Sequence, residues 1–185
     1  MVSLIPKWAQ KARVGWKYAG RTRPPFALKP SRDQESVWDY PRPPIIKEDA
    51  REVVLMVGDI EIGRSQHALR VLETASPPTF YLPIADLKLA HFKPAAGHSL
   101  CEWKGQADYF DVVAGSETLE RAAWFYPNPL PGMERLKDRV SVYPSRVHCT
   151  VDGVRVEPQP GVFYGGWVTP EVIGPFKGEP GSENW

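Results

Sequence analysis

Residues 99–110 read SLCEWKGQADYF, placing a serine, a cysteine, a glutamate, a lysine and a glycine within seven positions, with Tyr109 and Phe110 close behind. Each type has a chemistry. A cysteine beside a cation or base can hold a thiolate and act as a nucleophile. A lysine can neutralise an anion, or shuttle a proton with a carboxylate. His98 precedes Cys101 by three residues and Lys104 follows it by three. Successive side chains on a strand point to opposite faces, so Cys101 and Trp103 would share one face, and Glu102 and Lys104 the other. Lys104 reaches the sulfur only if a turn begins by Trp103. The ordinary fate of such a cysteine is to be a small buried hydrophobe, and that is the expectation for Cys101. Lys104-Gly105 would then be turn residues, with positive φ at Gly105.

Glu73 ends a strand-like run in RVLETASPP and shares a face with Val71. Strand ends beside proline loops often present binding groups. Arg70, Glu73, Ser99, Lys104 and Tyr109 make a mixed acid, base and hydroxyl set. Such a set suits a polar pocket for a small anionic or zwitterionic molecule, or acid–base work. The catalytic candidates are Glu73 and Lys104 as an acid–base pair, or Cys101 as nucleophile. Neither a metal nor a cofactor is expected. His98, Cys101, His148 and Cys149 are soft ligands, but His148 and Cys149 are adjacent, and on a strand they face opposite ways. No Cys-x-x-Cys pair, phosphate-binding GxxxxGK loop or Gly-x-Ser-x-Gly elbow occurs.

The elements that must position these groups are short. The chain has 20 prolines in 185 residues, clustered in runs such as RPPFALKP, YPRPP, SPPTFYLP and YPNPLPG. Proline is hostile to helix interiors and central strands, so the chain is cut into short strands and ordered loops. EVVLMVGDIEIGRS, GHSLCEWKGQADYFDVVA and RVHCTVDGVRVEP read as hairpins, the last on an Asp-Gly turn suited to type I′. LPGMERLKDRV is the best short helix, from the spacing of Met133, Leu136 and Val140. The result is a mainly β fold with one short helix: a closed or half-closed barrel, or packed sheets. Residues 1–50 form a basic, aromatic, proline-rich arm, 51–160 the β domain, and 161–185 a Gly/Pro-rich arm packed on it.

Apolar residues make up 42% and the net charge is +1, enough for a core and too balanced for a nucleic-acid footprint. The basic N-terminal arm is more simply read as packing on the domain or on a second subunit of a homodimer. No apolar run suggests a membrane span and no signal-peptide pattern begins the chain, so a soluble cytoplasmic protein is expected.

SVWDYPRPP, RVLETASPPTFYLP, CEWKGQADYF, AAWFYPNP and GGWVTPEVIGPFKGEPGS together resemble the domain of unknown function 427 family, from about residue 36 onward. The most specific part is Cys101, Lys104, Gly105 and Tyr109. The resemblance implies an all-β domain akin to β-tent or Mss4-like folds. Relatives of those folds hold zinc between Cys-x-x-Cys knuckles, which this chain lacks. The family carries a nucleotidyltransferase-like label in some naming schemes, which nothing in these residues supports independently. Three functions stay open: a small-molecule-binding domain with a pocket near residues 99–109, an enzyme of group transfer or hydrolysis, and a protein-interaction scaffold.

Overall fold

The computed structural model describes residues 5–182 and 185. Among these residues there is one α-helix, α1 (Lys7–Ala12), and four short 3-10 turns. The strands are β1 (Glu35–Ser36), β2 (Ile45–Asp49), β3 (Val53–Val57), β4 (Ile60–Ser65), β5 (Ala68–Glu73), β6 (Ser76–Pro83), β7 (Phe92–Cys101), β8 (Gly105–Ala114), β9 (Glu117–Phe125), β10 (Arg139–Val142), β11 (His148–Val151), β12 (Val154–Arg155), β13 (Glu157–Pro158), β14 (Trp167–Val168) and β15 (Val172–Ile173). No helix among them is long and apolar enough to cross a membrane.

The expected mainly β fold takes the form of packed sheets rather than a barrel. A seven-stranded sheet runs β2-β5-β6-β10-β9-β8-β7, and a four-stranded sheet runs β12-β11-β3-β4. Both are antiparallel throughout, so short hairpin turns suffice to connect most neighbours. The Asp-Gly turn behaves as its chemistry demands. Asp152 and Gly153 have φ of 48° and 75°, the pair of positive values a type I′ turn requires.

Alternation along the strands divides the large sheet into two buried faces. Phe80, Leu82, Val112, Val140 and Val142 face Val53, Leu55, Ile62 and Val151 of the small sheet, making the main core. The opposite face carries Leu69, Val71, Tyr81, Tyr109, Trp124 and Tyr126, capped by Met133 and Leu136 from the loop before β10. A third cluster joins the arms. Val37, Trp38 and Tyr40 pack with Leu72, Ala75 and Val172, while β1 pairs in parallel with β15.

Two expectations change. The helix expected in LPGMERLKDRV is a 3-10 turn, Glu134–Leu136, followed by β10. Met133, Leu136 and Val140 are all buried, but a strand start and a turn supply the spacing as well as a helix does. The one α-helix lies instead in the N-terminal arm, which has no clean apolar period because α1 buries only Ala9. β2, within the first fifty residues, is an edge strand of the large sheet.

Candidate functional site

The second face of the large sheet does not close completely. A cavity of about 260 Å³ remains between the strands and the arms. Its floor is aromatic: Tyr81 from β6, Tyr109 from β8, Trp124 from β9, and Tyr126 and Tyr143 from the flanking loops. Its polar wall comes from the end of β5, with Glu73, and from the β7–β8 hairpin, with Ser99, Cys101 and Lys104. The mouth is covered by the arms, with Trp16 from one side and Gln159, Phe163, Tyr164 and Lys177 from the other.

Local chain geometry explains why Lys104 points inward. β7 ends at Cys101, so residues 102–104 form the turn, and Lys104 folds back toward the sulfur instead of following strand alternation. The Leu130 amide donates to the Lys104 carbonyl at 3.0 Å, fixing that turn against the loop after β9. Gly105 sits at φ +107°, and a Cβ there would lie 3.3 Å from both the Asn128 carbonyl oxygen and Leu130 Cγ.

Charge in the cavity is unevenly paired. Glu73 is shared by two cations: Lys104 Nζ lies 3.7 Å from Oε2, and Arg42 Nε 3.4 Å from Oε1. Neither distance is that of a tight ion pair, and Arg42 Nε makes no formal hydrogen bond. Burial works against the charge on Lys104, but the Cys101 sulfur and the Glu73 carboxylate together raise its pKa above the usual lysine value. It is therefore a cation at neutral pH. Burial lowers Lys177, with the neighbouring Arg42 charge acting in the same direction. Burial also pushes the phenols up: Tyr81 to about 12, and Tyr126 well above the ordinary tyrosine value. Tyr81 and Tyr126 thus present neutral hydroxyl groups to the cavity. Some hydroxyl groups of the floor are already joined, since Trp124 Nε1 donates to Tyr81 OH at 3.1 Å and Ser99 Oγ shares a 2.7 Å hydrogen bond with Tyr109 OH.

Of the residues singled out by sequence, Glu73, Ser99, Cys101, Lys104 and Tyr109 line this cavity. Arg70 does not. It projects from the other face of β5, where its Nη1 lies 2.5 Å from Glu35 Oε1 and its Nε 3.1 Å from Asp49 Oδ2. Cys101 is half-buried rather than buried, because its strand ends at the cavity wall. Cys149 is the buried small hydrophobe, and burial raises its thiol well above the ordinary value. His148 is exposed while Cys149 is buried, as opposed strand faces require. No group of three or more His, Cys, Asp or Glu side chains among the described residues is arranged to hold a metal. Sequence reasoning passed over Trp16, Tyr81, Trp124, Tyr126, Tyr143 and Lys177. The signal for Tyr81 and Trp124 was present in the alternation: each falls between residues of the main core and so faces the other way.

Comparison with known families matches residues 45–153 to a family described as a domain of unknown function (DUF427). The match spans more than half of the chain, which therefore belongs to this family. No curated protein matches the chain. The matched segment supplies the aromatic floor, Glu73, Cys101 and Lys104, whereas Trp16, Gln159, Tyr164 and Lys177 at the mouth lie outside it.

Proposed function

We propose that the protein is a small-molecule-binding β domain that holds an anionic ligand in the cavity beside residues 99–109. The reading rests on one observation: Lys104, a cation in an aromatic-walled cavity, has only a half-share of the Glu73 carboxylate. A buried charge without a full partner is costly, and an incoming anion removes that cost. Cavities of this kind, mainly apolar with a few converging polar groups, are the usual form of small-ligand sites. Native mass spectrometry of the purified full chain tests it. The expected result is an adduct that denaturation releases, lost in a Lys104→Met variant of unchanged circular dichroism. A wild-type protein that carries no adduct, and whose melting temperature no small anion raises, defeats the reading.

A second reading has its own observation. The Cys101 sulfur is close enough to Lys104 to raise the lysine's pKa. A thiolate held beside an ammonium group, with Glu73 to move a proton, is the arrangement of an enzyme working by a covalent thiol intermediate in group transfer or hydrolysis. Rapid alkylation of Cys101 by iodoacetamide at neutral pH, slowed by Lys104→Met, supports this reading. A thiol that reacts no faster than free cysteine in both proteins removes it.

A further inference from the structure

Resting on the reading of the cavity as an anion site, we infer that its ligand is a flat aromatic monoanion, a ring-bearing carboxylate. Its charge meets Lys104, and its remaining acceptor is met by Trp16 of the N-terminal arm. Three independent features lead there.

The first is shape. The cavity walls include Tyr81, Tyr109, Trp124, Tyr126 and Tyr143, with Trp124 and Tyr143 packed at a centroid separation of 4.4 Å. Aromatic walls favour stacked or edge-on rings over branched aliphatic bodies. An apolar cavity of about 150 Å³ accommodates benzene, so 260 Å³ has room for a ring and its carboxylate.

The second is charge. Lys104 and Arg42 share Glu73, while Lys177 and Glu102 also line the cavity, Lys177 Nζ donating to the Trp185 carbonyl oxygen at 2.9 Å. That balance leaves one net positive charge, which a monoanion neutralises and a dianion overshoots. Arg42 cannot supply the fork that phosphate recognition uses. Its Nη1 donates to the Tyr18 carbonyl at 3.0 Å and its Nη2 to the Thr74 carbonyl at 2.9 Å.

The third is an orphan donor. The Trp16 indole Nε1 is buried and has no hydrogen-bond partner. Such donors are rare in folded proteins and destabilise the fold when left unmet. Trp16 is nonetheless held firmly, with the Arg42 guanidinium and the Lys177 ammonium group each 4.1 Å from its ring centroid. An indole that lines the cavity and keeps a spare N–H is the group assigned to the ligand's second acceptor. Trp16 lies outside the segment that defines the family, so ligand choice is set by the arms as well as by the domain.

Isothermal titration of the full-length protein with benzoate, benzamide, cyclohexanecarboxylate and phenyl phosphate tests the inference. Benzoate is expected to bind most tightly, benzamide roughly tenfold or more weakly for the loss of one charge-assisted contact, and cyclohexanecarboxylate and phenyl phosphate several-fold or more weakly. Trp16→Phe keeps the ring and removes the donor. It should weaken benzoate several-fold while leaving circular dichroism unchanged and the ligand-free melting temperature no lower than that of the wild type. Lys104→Met should abolish benzoate binding; if that variant does not fold, the ligand series on the wild type and Trp16→Phe decide. Benzamide as tight as benzoate overturns the charge assignment, and cyclohexanecarboxylate as tight overturns the aromatic one. Tighter phenyl phosphate overturns the monoanion, and an unaltered Trp16→Phe affinity overturns the donor. If none of the four binds while the purified protein still carries an adduct, this inference falls and the cavity remains a site. If there is no adduct either, both readings fall.

Discussion

Gly105 is the residue on which the polar wall turns. At φ +107°, a β-branched side chain is strained, and its Cβ would also press on the Asn128 carbonyl oxygen and Leu130 at 3.3 Å. Gly105→Val is expected to cost at least about 1 kcal/mol in urea denaturation, and a variant as stable as the wild type would show that the turn can relax. The cavity's floor and polar wall contribute to the alkaline limit of stability. Tyr81 has a folded pKa of about 12 against an ordinary 10.0, and Lys104 is also raised. A raised folded pKa means that the folded state holds its proton more tightly than the unfolded chain. That contribution is whole below pH 10.0 and is lost as pH rises toward about 12. The urea midpoint should therefore fall across this window, together with the ultraviolet signal of tyrosinate formation. Phenols that ionise without any fall in the midpoint would contradict the buried placement of Tyr81.

At the level of elements, the strands carry the alternation that splits floor from core, and the loops close over it. Gly165 shows how closely: a Cβ there would lie 2.2 Å from Trp124 Cη2, a rigid ring rather than a flexible tip. Gly165→Ala should force the 163–166 loop off the cavity mouth and cost about 1–3 kcal/mol through overpacking. A shift in Trp fluorescence with a lowered melting temperature is the expected readout, and no change in either would mean that the loop moves freely. The hairpins were legible in the sequence because their determinants are local. Asp152-Gly153 and Gly105 announce positive φ, and the β-branched runs beside them announce strands. The pairing of β1 with β15 was not legible, because two-residue strands more than a hundred positions apart leave no periodic trace. α1 escaped for a similar reason, since only Ala9 of its residues is buried. Of the cavity lining, Glu73, Ser99, Lys104 and Tyr109 were recognisable by type, whereas type does not reveal that Arg70 lies on the other face of β5. Trp16 was not legible as part of the cavity, since nothing local ties it to Arg42 and Lys177.

For the whole molecule, the question is whether the family-matched segment is a folding unit or only part of one. Trp167 comes from the C-terminal arm but is fully buried in the main core, stacked on Phe80 at 4.9 Å. Its Nε1 donates to the Val142 carbonyl at 3.1 Å, tying the arm to β10. On the other side, Trp38 is buried at the junction of the arms, and its Nε1 donates to the Pro175 carbonyl at 3.1 Å. Both indoles lie outside residues 45–153. Truncating one buried Trp costs about 3–5 kcal/mol, against about 5–15 kcal/mol for the stability of a typical protein. Removing both arms therefore takes away most or all of what stability there is, and also opens the cavity to water. A chain cut to residues 45–153 is expected to lack a cooperative thermal transition. Trp167→Ala in the full chain should retain one at a temperature lowered by roughly 6–20 °C, at about 2–4 °C per kcal/mol for a chain of this size. If the cut chain melts cooperatively near the wild-type temperature, the arms are accessories to the fold and serve only the cavity.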